Sequence, residues 1–123
     1  MANNTAEPVV IGYGYMSPDG RIWDCAGLDV AREVVAGTRH LSIVRKEAGG
    51  RIYTLDGDLY LGQRVRTTVD APPGWEGAFG APAGTLGTIN GLPGRWGGYG
   101  VVLDGDPDRM SCGFSREELE PVE

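Results

Sequence analysis

A mainly β fold of the α+β class, made of short strands and tight turns with one short helix, is what this chain of 123 residues predicts. Three observations lead there. The chain holds 21 Gly and 8 Pro, and because each glycine costs about 1 kcal/mol in a helix interior, a long-helix architecture is excluded. Short apolar or alternating runs recur between turn-forming clusters, and one stretch alone carries a helical stripe. A hydrophobic fraction of 41% supplies a small core, which sets the chain apart from disordered sequences. Its length suits one domain or two small subdomains.

The first apolar run, residues 9–16, leads into Ser17-Pro18-Asp19-Gly20 and then Arg21-Ile22-Trp23. The run, the turn with Pro at its second position and the return strand specify a β-hairpin. Gly12-Tyr13-Gly14 lacks the third glycine and the following helix of a phosphate loop, so it is read as close strand packing. In residues 28–36, Leu28, Val30, Ala31, Val34 and Val35 form a stripe at helical spacing. Asp29 is expected to cap its start and Gly37 to stop it in the left-handed conformation. A helix of two turns has no stability of its own, so the stripe must lie on a sheet. Strand 38–46 then turns through Ala48-Gly49-Gly50 into strand 51–55, with Leu41 and Ile43 expected inward and His40 and Ser42 outward.

Near Gly62 the chain changes character. Residues 63–123 hold 12 of the 21 glycines and carry five basic against nine acidic side chains, whereas residues 1–62 carry six against eight. Two subdomains, 1–61 and 62–123, packed as one unit, are therefore expected. The second half reads as strands at 64–69, 84–89, 98–103 and 111–114. Ser115-Arg116-Glu117-Glu118 then has capping-box spacing, giving one helical turn that delivers a final short strand at 119–122.

This second half resembles the SH3-like small-barrel superfamily. The resemblance lies in Gly62 and Val65, Gly87-Thr88-Ile89, Tyr99-Gly100-Val101, Leu103-Asp104 and residues 114–122. It implies a five-stranded barrel and, by analogy alone, a docking module or a subunit of a larger assembly. The G-K-N-D-G signature of CAP-Gly domains and the basic loops of KOW-type modules are absent.

Composition narrows the function classes further. The net charge is −6 and no basic run exceeds Arg45-Lys46, which argues against nucleic-acid partners. No apolar run approaches the roughly 18 residues of a membrane span, and the opening MANNTAEP has neither a basic nor an apolar region. A cytoplasmic protein is expected, with a virion as the alternative. Cys25 and Cys112 are in no metal-ligand spacing and are expected as free thiols. Asp104, Asp106 and Asp108 are spaced like the opening of a calcium loop, but Arg109 and Ser115 stand where Gly and Glu would be needed, so they are read as a turn. His40 is the one histidine and marks no triad. No cofactor and no catalytic residue is assigned.

Glycine-rich segments around Trp75 and Phe79, and around Arg95, Trp96 and Tyr99, correspond to the first long loop and the next turn of the resembled barrel, which there sit on one side and frame a ligand groove. The five residues have the composition of a binding hot spot. A non-enzymatic acidic interaction module that binds a protein partner or itself through these aromatics is therefore expected. One alternative is a structural component of an assembly such as a phage particle from a high-GC host, given ten Arg to one Lys. The other is a small metal protein or enzyme built on Asp104, Asp106 and Asp108.

Overall fold

The structure, a computed structural model, describes residues 9–38, 40–71, 80–93 and 98–122. It is mainly β, with two antiparallel sheets and one short α-helix. The chain divides into two compact units, residues 1–58 and 59–123.

The first unit contains β1 (Val10–Met16), β2 (Ile22–Cys25), α1 (Leu28–Ala36), β3 (Ser42–Glu47) and β4 (Arg51–Thr54), with sheet order β2-β1-β3-β4. Local chemistry sets its first hairpin. The Gly20 N–H donates to the Ser17 carbonyl and the Ser17 N–H to the Arg21 carbonyl, both at 2.9 Å. Gly20 has φ +89, a left-handed conformation that glycine adopts without steric cost and that matches the twist of a three-residue hairpin loop. The Asp19 carboxylate accepts from the Ser17 hydroxyl and from the Arg21 N–H. The register that follows places Tyr15 opposite Trp23, with the rings stacked at 5.4 Å, a cross-strand pair of the kind that stabilises antiparallel ladders.

The helix forms where its stripe predicts, but its ends differ from expectation. Gly27, not Asp29, is the N-cap, and no side chain caps the helix. Asp29 lies inside the first turn, where its charge complements the positive end of the helix dipole. Gly37 stays right-handed at φ −88, its N–H shared between the Glu33 and Val34 carbonyls, so the last turn tightens instead of reversing. The helix packs against β1, β2 and β3, and Ala31 is completely buried. In β3 the expected inward residues Leu41 and Ile43 are only half-buried, while Val44 is 0% exposed. The strand begins at Ser42, and its register sets Val44 beside the side-chain-free Gly14, so the Val44 side of β3 is the more enclosed.

The second unit contains β5 (Arg64–Thr67), β6 (Leu86–Gly91), β7 (Tyr99–Leu103), β8 (Ser111–Phe114), a 3-10 turn (Arg116–Glu118) and β9 (Leu119–Pro121). The sheet order is β8-β7-β6-β5-β9, a meander whose last strand returns to pair with its first. The turn before that strand is built as the capping-box spacing predicts, with the Ser115 N–H donating to the Glu118 carboxylate at 2.9 Å. Registers sort the side chains by parity. Val65, Gly87 and Leu103 share one row, Ile89, Val101 and Cys112 the next, and Tyr99 faces Phe114. All the large apolar members of these rows are buried. Gly87 is required in its row because a Cβ there would lie 2.7 Å from a Val101 methyl and 2.8 Å from the Val102 carbonyl oxygen. The opposite face carries Arg64, Thr88, Val102 and Ser111 in one row and Arg66 beside Leu86 and Glu120 in another.

Candidate interaction site

Of the five residues expected to contact a partner, Trp75, Phe79, Arg95 and Trp96 lie outside the described residues. The residues that flank their two segments lie within the described part of the chain. The long β5–β6 connection continues the hairpin beyond the strands through paired bonds between Ala71 and Ala81 (2.7 and 2.8 Å). The Ala83 N–H bonded to the Asp70 carboxylate and the Gly84 N–H bonded to the Thr67 carbonyl brace it further. Register puts the root of this arm at the Arg66/Leu86 end of the sheet and the root of the β6–β7 turn at the Gly91/Gly100 end. Tyr99 corrects the sequence expectation. It is 4% exposed, because its parity in β7 is that of Val101 and Leu103, so its ring belongs to the core.

The three aspartates of the β7–β8 turn do not converge. Asp104 is held by Arg64 through two bonds, at 2.8 and 2.5 Å, and Arg64 also donates to the Thr88 hydroxyl at 2.9 Å. These bonds from Arg64, more than its charge at a distance, hold the Asp104 carboxyl below the usual carboxylate range and raise Arg64 in return. Asp106 is buried, and its two carboxylate oxygens accept the N–H groups of Asp108 and Met110, both at 3.0 Å. The carboxylate is thus the scaffold of its own turn. Among the described residues no group of three or more His, Cys, Asp or Glu is placed to hold a metal ion. His40 is exposed.

Next to this turn lies a half-open hollow of about 360 Å³ that the sequence gives no hint of. Thr88, Asn90, Val102, Asp104, Asp106 and Arg109 are among its lining residues. They come from β6, β7 and the β7–β8 turn, so no contiguous motif marks the site. Arg109 is the one non-glycine among the described residues with positive φ, at +52, an outlier of the kind that collects at functional positions.

No helix among the described residues is long and apolar enough to cross a membrane. Comparison with known proteins finds no family model, no curated protein and no solved structure that matches the chain.

Proposed function

We propose that the chain is a non-enzymatic protein-interaction module. In this reading the second unit is SH3-like, and the contact residues are Trp75, Phe79, Arg95 and Trp96, which engage a protein partner or a second copy of the chain. Tyr99 serves as the core anchor beside the second segment. The observation that carries the reading is the braced pair of ends: the Ala71–Ala81 bridge and its supporting bonds hold together the two residues that flank the segment carrying Trp75 and Phe79, and loops anchored on a scaffold are a common place for recognition residues. The strand order, with a 3-10 turn before a last strand that rejoins the first, supports the SH3-like reading. The proposed setting is cytoplasmic, consistent with Cys25 and Cys112 as free thiols.

The test is the double variant Trp75→Ala/Trp96→Ala. Self-association followed by light scattering, and capture of partners from the source organism, are compared with those of the unaltered chain. A hot-spot tryptophan is worth about 2 kcal/mol, roughly 30-fold in affinity. The expected result is lost association at an unchanged unfolding midpoint. Unchanged association overturns the reading, and so does a collapse in stability, which would make the two rings core residues.

A further inference from the structure

The hollow beside the β7–β8 turn contains two aspartates, yet the groups still available in it are donors. Both oxygens of Asp104 are engaged by Arg64, and both oxygens of Asp106 by backbone amides of its own turn. On the donor side, the Asn90 Oδ1 accepts the Ser111 hydroxyl at 2.9 Å, which leaves the Nδ2 amide hydrogens with no partner among the described residues. Thr88 receives a bond from Arg64 at its oxygen and so keeps its own hydrogen to give. The Arg109 guanidinium is exposed, has no partner among the described residues and lines the hollow. Its backbone is left-handed, a conformation disfavoured for any residue that carries a Cβ. The charges of Arg64 and Arg109 balance those of Asp104 and Asp106, so the site opposes an anion with no net charge of its own. The half-buried Val102 adds an apolar wall.

We propose that this hollow is a recognition site for a carboxylate, gripped by the planar fork of Arg109 and the amide of Asn90, with Val102 against the ligand's apolar part. Arg suits such a ligand because its fork matches the two oxygens of a carboxylate. The ligand is either a small organic acid or the free C-terminus of a peptide; the recognising chemistry is the same. The site lies within the described residues of the second unit and does not depend on the aromatic segments, so it stands or falls separately from them.

The experiment is an NMR titration of the whole chain, following backbone amides, the Asn90 side-chain amide and the arginine Nε–H signals. The probes are sodium propionate, trialanine with a free C-terminus, trialanine amide and ethylammonium chloride. Saturable shifts at Asn90, Gly105 and Arg109 are expected with a carboxylate and not with the amide or the cation. Propionate and trialanine acting alike identify a small-acid site, and trialanine alone a peptide-terminus site. Arg109→Gly should weaken binding at least tenfold while the unfolding midpoint holds or rises, since glycine accepts φ +52 freely. Arg109→Lys should fall between the two. The proposal is overturned by absence of localised shifts at tens of millimolar, by equal binding of trialanine amide or ethylammonium, or by an Arg109→Gly variant that binds as the unaltered chain does.

Discussion

Replacing Arg45 should unfasten the end of the first unit, and the structure gives the size of the effect. The Arg45 Nη1 donates to three carbonyl oxygens, those of Thr54 (2.8 Å), Leu55 (3.0 Å) and Gly57 (2.7 Å), while Nε donates to Glu47 at 2.9 Å. The guanidinium also sits 4.3 Å from the centroid of the Tyr53 ring. The Arg45 side chain is 16% exposed and that of Glu47 7%, so solvent screening does little to weaken the pair. Arg45→Met keeps the aliphatic stem and removes every one of these bonds. Removing one partner of a buried pair costs about 3–5 kcal/mol, and the three partly buried carbonyls lie within that figure because they regain some water. A small unit rarely has more stability than this to lose, so its cooperative transition should vanish or move to very low urea. The assay is urea unfolding followed by far-UV circular dichroism and by tryptophan fluorescence in a Trp75→Phe/Trp96→Phe background, where the signal is that of Trp23, which stacks on Tyr15 within the same sheet. A double-mutant cycle supplies the mechanism. In Arg45→Met/Glu47→Met no charge is left stranded, and most of the loss should be recovered. A cost below about 1 kcal/mol for Arg45→Met, or a double variant as unstable as the single one, would refute the account.

Four further outcomes are expected. Gly87→Ala should cost about 2 kcal/mol in urea unfolding, because the new methyl meets a backbone carbonyl that cannot move aside. Gly100→Ala should cost roughly half as much, since the atoms it meets at 2.6 and 2.9 Å are the Ser111 and Asn90 side chains, which can rotate. The Thr67 hydroxyl is buried and has no hydrogen-bond partner among the described residues, so Thr67→Val should raise stability by about 1 kcal/mol; a loss of that size would reveal a missed partner. The last concerns pH. The carboxyl of Asp104 is depressed by its bonds from Arg64, and that of Asp19 chiefly by the Ser17 hydroxyl. A depressed carboxyl contributes stability that is complete above its unfolded value, near pH 4, and is lost as pH falls through the lower folded value. Asp104→Asn should therefore make the urea midpoint of the second unit less sensitive to acid below about pH 4. An acid profile parallel to that of the unaltered chain would remove the ion pair from the account.

How much of this was legible in the sequence depends on how far each residue reaches. In the first hairpin Ser17, Asp19, Gly20 and Arg21 bond only to one another, so a local reading recovers the turn and, with it, the stacking of Tyr15 on Trp23. The capping box at Ser115 and Glu118 is local in the same way. The burial of Tyr99 is legible in the same local way: Tyr99, Val101 and Leu103 alternate with Gly100 and Val102, and that parity outweighs the glycine-rich neighbourhood. The aspartates are ambiguous in the sequence because the same spacing serves ion-binding loops and turns. What separates the two is the destination of each oxygen, and Asp104 reaches back 40 positions to Arg64 while Asp106 reaches forward two and four.

Arg45 and the hollow were out of reach for a different reason. Arg45 gathers carbonyls nine, ten and twelve positions ahead, and carbonyls carry no sequence signature at all. Asn90 and Arg109 line one hollow only because β6 and β7 pair in one register and the turn after β7 lies beside them. A one-residue slip of that register would send Asn90 to the core face. Specific chemistry among the described residues thus resides where side chains meet backbone or cross strands, and the close strand approach that Gly87 permits is part of the register that sets the polar groups of the outer face beside one another.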